Sequence, residues 1–132
     1  MSQFFNAAGE TLWNPSNGVA SLFMRTAETL APEAGTPTGI GPMENDECEI
    51  DLPAFTTFTG ALVQRLERSG HPILHALMEG FVATALVLVE RGGVPLPPAT
   101  SGPRRDVHVG MEPPARRDWS ELAARHARAM PR

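Results

Sequence analysis

The chain has 132 residues, of which 42% are hydrophobic, and its net charge is −4 at pH 7. This length allows one domain with a modest core, and a single cysteine excludes an internal disulfide and fits the reducing cytoplasm, where we expect the protein. We expect no membrane segment or signal peptide, because the longest apolar run, Phe81 to Val89, is far shorter than the roughly 20 residues that span a bilayer.

The N-terminal third is predicted to contain a hairpin, a helix and a loop. Residues 3–13 hold two short apolar patches around a small-residue turn, which favours a short β-hairpin. Asn14 and Pro15 are typical of a helix start, because an Asn side chain can accept a backbone N–H and proline is tolerated at the first helical position. This helix should end at Pro32, and residues 33–43, EAGTPTGIGPM, should form a loop.

The next stretch, residues 44–51 (ENDECEID), packs five carboxylates and the only thiol directly ahead of an apolar run. Acidic residues before a helix are favoured by the helix dipole and by capping, which is the simplest interpretation. Two functional alternatives remain, an acidic surface that binds a partner protein and a site for a hard cation, although the pattern of a calcium loop is absent. The carboxylates are Glu44, Asp46, Glu47, Glu49 and Asp51.

Two helices are predicted in the middle of the chain, joined by residues 69–72 (SGHP). Asp51 is the expected N-cap of the first, which should end at Gly70, and proline opens the second, which should run to about Arg91. The second is apolar on nearly every side, so other elements must enclose it. Because three helices cannot easily do so, we expect a homodimer.

Two histidines suggest an alternative function. His71 and His75 lie four residues apart, on one helical face, a spacing that zinc sites use. Proline follows the first histidine where a metallohydrolase motif has glutamate, so the simpler interpretation is that one caps the helix and the other is half-buried and hydrogen-bonded. A site for zinc or another divalent metal would require the acidic stretch to fold onto this joint. Its ligands would be drawn from His71, His75, Cys48, Glu47 and Glu79.

The sequence contains no convincing catalytic signature. Cys48 is a poor nucleophile candidate, because its neighbours Glu47 and Glu49 disfavour the thiolate. We therefore expect no catalytic residues and, outside the metal alternative, no cofactor.

The last third differs from the rest in composition and charge. Residues 1–93 hold 11 acidic residues and 4 arginines, whereas residues 94–132 hold 4 acidic residues and 7 arginines. Residues 94–116 are rich in proline and predict a flexible linker. Residues 117–132 predict a basic amphipathic helix that docks on its own body, a second subunit or another protein, with Trp119, Leu122 and His126 on its apolar face. The acidic body disfavours nucleic acid as a partner.

Four motifs carry a resemblance to a known group of proteins: LWNPSN (residues 12–17), PTGIGPM (37–43), ECEID (47–51) and SGHPIL (69–74). With them, residues 1–93 resemble an uncharacterised family of small actinobacterial proteins, a domain of unknown function. The resemblance implies no activity, cofactor or partner.

Together these patterns predict a mainly α protein: a small helical bundle with a short N-terminal β-hairpin, a proline-rich linker and a C-terminal amphipathic helix. The predicted divisions are an acidic helical domain (1–93), a linker (94–116) and a docking helix (117–132). The leading functional hypothesis is a non-enzymatic accessory or inhibitor-like protein-interaction module that presents the acidic stretch and the docking helix. The alternative is the metal-binding protein or metal-dependent enzyme described above.

Overall fold

Over the residues that the structure describes, the protein is an α/β fold in which four helices accompany a four-stranded mixed sheet. The computed structural model describes residues 1–98, 102–107 and 110–132. The prediction of a mainly α helical bundle is therefore wrong, because it missed half of the sheet. In chain order the elements are β1 (Phe4–Ala7), β2 (Glu10–Trp13), α1 (Asn17–Ala34), β3 (Ile40–Glu44), β4 (Glu47–Ile50), α2 (Leu52–Glu67), α3 (Pro72–Arg91) and α4 (Trp119–Ala127).

The sheet consists of two hairpins that meet along a parallel pair of strands. Its order is β2-β1-β4-β3, with β1 parallel to β4 and both hairpins antiparallel. The predicted N-terminal hairpin is confirmed, and Ala8 and Gly9 at its turn both have positive φ, as a type I′ turn requires. The parallel pairing is possible because α1 lies between the hairpins in sequence and carries the chain back across the sheet.

The β3–β4 hairpin was not predicted, although the sequence of β4 contains a pattern typical of a strand. Along β4 exposed and buried residues alternate, with Cys48 and Ile50 facing the core. This period of two is the signature of a half-buried strand rather than of a helix start. Strand β3 lies at the edge of the sheet, where Pro42 is tolerated because an edge strand leaves one row of backbone groups unpaired.

Some of the helix boundaries predicted from the sequence agree with the structure, and others differ. Asp51 caps α2 as predicted, since its Oδ1 accepts the backbone N–H of Ala54 at 3.2 Å. Helix α1 begins two residues later than expected, after the N-cap Ser16. It also continues past Pro32 and ends at Gly35, whose left-handed conformation (φ 71°) terminates the helix.

Helix α3 forms the centre of the core, as the sequence predicts. Phe81 stacks on Phe23 of α1 at 5.1 Å between ring centroids, and Phe23 in turn contacts Phe5 and Trp13 of the sheet. Residues 85–89 of α3 are all buried. The sheet and α4 thus supply, within one chain, the cover that was expected from a second subunit.

Helix α3 is also long and apolar enough to cross a membrane, judged by length and composition alone. The core helix of a soluble protein passes the same test, and 56% of the most apolar 18-residue window of α3 is buried within the protein. This is weak support for a membrane span, and a core helix explains the same apolar composition.

The tail lies against the body through several contacts. Residues 102–107 run past the α2–α3 joint, where Arg105 donates its backbone N–H to Arg68 O (2.6 Å) and accepts that of Gly70 (2.7 Å). A side chain on Gly70 would come within 2.6 Å of Val107, so glycine permits this close approach. Helix α4 packs on α3. Residues 99–101 and 108–109 of the predicted linker lie outside the described residues.

Candidate functional site

The acidic stretch forms the β3–β4 hairpin and not a loop ahead of a helix. Asn45 and Asp46 form its two-residue turn, with φ of 52° and 63°. Glu44 lies directly opposite Glu47, because the two residues are paired across the strands. The hairpin therefore carries four exposed carboxylates, which we call the acidic face: Glu44, Asp46, Glu47 and Glu49.

The contacts of the acidic face are polar but uncharged. Gln3 donates its side-chain N–H to Asp46 (3.4 Å), and Asn6 donates to Glu47 (3.3 Å). Within the described residues none of the four carboxylates forms an ion pair. A shallow cavity of about 350 Å³ lies among them, lined by Asn6, Pro42, Glu44, Asn45, Glu47 and Glu49. Asp51, the fifth predicted carboxylate, serves instead as the N-cap of α2.

Cys48 points away from the acidic face into the core. Its side chain is fully buried, and its Sγ donates to Gly41 O at 3.2 Å. Burial raises the pKa of the Cys48 thiol to about 11, with a smaller contribution from the charge of Glu49. The thiol is therefore protonated at neutral pH, which disfavours a nucleophilic role.

The two histidines have structural contacts at the α2–α3 joint. His71 is the N-cap of α3, and its Nδ1 accepts the backbone N–H of Ile73 at 3.2 Å. His75 is buried, and its Nε2 lies 2.8 Å from Ser69 O. Because a carbonyl oxygen can only accept, this nitrogen carries the proton. These contacts match the simpler interpretation, except that His75 is fully rather than half buried.

The proposed metal ligands lie in different environments. Glu47 is exposed on the sheet, Cys48 is in the core, and Glu79 pairs with Arg117 at 2.6 Å. Across the part of the chain that the structure describes, no group of three or more His, Cys, Asp or Glu side chains is arranged to hold a metal ion. Metal binding by these residues remains a prediction, which elemental analysis of untagged protein would test.

The apolar face of α4 is buried on the body of the same chain. Trp119 is 2% exposed and donates its indole N–H to Glu67 at 2.7 Å. Leu122 packs against the core, and His126 Nε2 lies 2.8 Å from Thr84 Oγ1 on α3. Of the three docking alternatives left open by the sequence, the structure contains the intramolecular one.

Arg91 is a central residue that no sequence motif identifies. Its guanidinium donates to Leu12 O (2.9 Å) on β2 and to Met130 O (2.7 Å) after α4, so it joins both ends of the chain to α3. Burial lowers its pKa, with a further contribution from the charge of Arg132. Its partners are 79 and 39 residues away in sequence, so no local signal could have identified it.

An apolar surface on α1 and α3 is exposed. Ile73 and Leu77 of α3 and Val19 and Leu22 of α1 are 48–75% exposed. Beside them lies a groove of about 210 Å³, lined by Trp13, Val19, Leu22, Phe23, Thr26, Gly80, Phe81 and Thr84.

The fold and the acidic face define a small α/β protein whose mixed sheet covers the core with one face and exposes charge on the other. The chain belongs to a family of unknown function, DUF6086, whose family model matches residues 1–132. The match includes the tail, whereas the resemblance noted in the sequence covered residues 1–93. Comparisons with curated proteins and with solved structures find no match.

Proposed function

We propose that this protein is a non-enzymatic interaction module whose acidic face binds a positively charged surface of a partner protein. The observation that carries the proposal is the set of four exposed carboxylates on one hairpin, with no ion pair among the described residues. Some charges elsewhere in the described chain are paired, such as Arg65 with Glu33 at 3.2 Å. A basic partner would supply the missing charges.

The geometry of the hairpin supports this proposal energetically. Like charges directly opposite each other on neighbouring strands are destabilising, by about 0.2–1 kcal/mol. Glu44 and Glu47 form such a pair. Neutral polar residues at these two positions would make the hairpin more stable. The glutamate pair therefore favours a role in binding another molecule rather than in folding. A cationic partner would convert this repulsion into attraction and would also accelerate association at low salt.

The tail contributes to the module in a different way from that expected from its sequence. Trp119 and Leu122 are engaged with the body, so the interaction surface in this proposal is the acidic face alone. We keep the cytoplasm as the proposed location, on the basis of the single cysteine.

The test compares capture of partners from native lysate by immobilised wild-type protein and two matched variants. One variant carries Glu47→Gln and Glu49→Gln on the acidic face. The control carries Glu28→Gln and Glu112→Gln, which change the net charge equally at exposed positions elsewhere. We expect a partner that the wild type and the control retain and the acidic-face variant loses. Its retention should also fall with salt, because exposed charges are screened.

Two results would contradict the proposal. One is a partner that the acidic-face variant retains as well as the wild type does. The other is capture that does not respond to salt, which would indicate an apolar interface instead.

The expected homodimer is a separate proposal, supported by the exposed apolar surface of α1 and α3. Leu77 protrudes, being 75% exposed, one turn before Gly80, which lines the groove between the two helices. A twofold axis would place this leucine of each copy against the groove of the other. Sedimentation of wild type and Leu77→Glu should show a dimer that the substitution disrupts, whereas a monomeric wild type would refute the dimer.

A further inference from the structure

A second charged surface, of opposite sign, lies where the tail passes the end of α2. Arg68 follows α2, and Arg104 and Arg105 belong to the segment that runs past the α2–α3 joint. The backbone contacts between Arg68 and Arg105 fix these two arginines beside each other. Arg116, from the stretch before α4, reaches the same region and donates to Glu67 O at 3.1 Å.

Arg68, Arg104 and Arg105 line a cleft of about 710 Å³ between α2 and the tail. A cleft of this volume falls within the range of small-molecule sites, roughly 300–1,000 Å³. Glu67 is the single carboxylate in the described lining, and one of its oxygens already accepts the indole N–H of Trp119. The other lining residues are Gly60, Val63, Gln64, Pro97, Pro98, Gly102 and Pro103.

A neighbouring cavity contains an arginine whose charge is neutralised by carboxylates. It has a volume of about 470 Å³ and also touches Arg68 and Arg105. There Arg65 is paired with Glu33 at 3.2 Å and with Asp106 at 3.8 Å. In the larger cleft, by contrast, Arg68, Arg104 and Arg105 form no ion pair with any described residue.

Arg104 carries the clearest sign of an unmatched charge. One terminal nitrogen donates to Pro114 O, but its Nε–H is buried and has no acceptor among the described residues. Burial lowers its pKa, and the nearby charges of Arg116 and Arg117 lower it further. A buried donor without a partner costs free energy. An anion in the cleft would relieve the repulsion among the arginines.

We propose that this cleft binds a small ligand that carries a phosphate or pyrophosphate group. Planar guanidinium groups bind phosphate oxygens through pairs of charge-assisted hydrogen bonds, and several arginines together favour an anion with at least two charges. The ligand is small because a long polyanion would extend over the acidic body and be repelled. The site does not depend on the partner proposed above, since the acidic face uses different residues.

The experiment measures binding of inorganic phosphate and pyrophosphate to the full chain by calorimetry at constant ionic strength. Trp119 provides a second signal, because its indole N–H contacts a carboxylate of the cleft, and Trp13→Phe removes the other tryptophan. The test variant is Arg68→Gln with Arg105→Gln. Both side chains are exposed, and the substitutions keep the backbone contacts of the segment. The control is Arg25→Gln with Arg128→Gln, exposed arginines that do not line the cleft.

We expect saturable binding, tighter for pyrophosphate than for phosphate, and absent for chloride. Each arginine removed should weaken binding about tenfold, since a hydrogen bond to a charged group contributes at least the free energy that corresponds to this factor. The control should bind like the wild type. If the double variant does not fold, as judged by circular dichroism, the single substitutions decide the question.

Three outcomes would overturn the proposal: no saturable binding, equal weakening in the control, or tighter binding of an oligoglutamate peptide than of pyrophosphate. The last would identify the cleft as a surface for an acidic protein segment. None of these outcomes bears on capture by the acidic face, so the two proposals fail independently.

Discussion

The β3–β4 hairpin and helix α4 are both short, charged and amphipathic, yet they make opposite use of their side chains. The hairpin buries Cys48 and Ile50 and leaves its carboxylates in solvent without ion pairs among the described residues. Helix α4 buries Trp119 and Ala123 on α3, and Arg117 just ahead of it pairs with Glu79. Charge that is matched inside the chain holds the fold together, whereas unmatched charge remains available to another molecule.

The largest effect should come from breaking the attachment of α4. We expect Trp119→Ala to lower the free energy of unfolding by about 3–5 kcal/mol, because a buried aromatic side chain is lost and a cavity remains. Chemical denaturation measures this change, and limited proteolysis should reveal a released tail. Ser120→Ala, at an exposed position next to it, should change stability by less than about 0.5 kcal/mol. If both variants matched the wild type, α4 would not be docked in solution.

A smaller effect concerns the buried side of the hairpin and depends on pH. The folded-state pKa of the Cys48 thiol is about 11, above its ordinary value of 9.0. As the pH rises, the Cys48 thiol of the unfolded chain therefore loses its proton at a lower pH than that of the folded protein. The stability from this difference is complete below pH 9 and is lost as the pH rises towards 11, by at most about 1.4 kcal/mol per pH unit. The free energy of unfolding, measured by chemical denaturation between pH 8 and pH 11, should fall with this slope.

The matched variant for this measurement is Cys48→Ala, which removes the thiol. Its overall stability should be lower because of the cavity, but its pH profile should be flatter than that of the wild type. An identical slope in both proteins would assign the pH dependence to other groups.

The smallest effect is expected on the exposed side of the hairpin. Glu44→Lys would place a cation opposite Glu47 and should raise the free energy of unfolding by about 0.2–1 kcal/mol. The same variant should weaken partner binding, so stability and function would change in opposite directions. Glu28→Lys on α1 changes the net charge equally without this cross-strand partner. A similar gain in both variants would show that net charge, and not the pair, causes the effect.

The sequence specified the local features of this protein. The cap at Asp51, the helix that follows the proline after His71, the N-terminal hairpin and the amphipathic tail helix were all predicted. Each depends on residues within a few positions of one another, so a local pattern is sufficient to reveal it. The β3–β4 hairpin also had such a pattern, the alternation of residues 47–50. It was misinterpreted because acidic residues are equally typical of helix starts.

The tertiary structure decided the features that join distant parts of the chain. The parallel pairing of β1 with β4, the contacts of Arg91 with Leu12 and Met130, and the docking of α4 on its own body join residues tens of positions apart. The arginine cleft likewise combines the end of α2 with the tail. The physical reason is that local propensity fixes which segments form, while long-range packing and charge pairing select which segments meet. Whether a charge is matched or unmatched is therefore a property of the fold and not of the sequence around it.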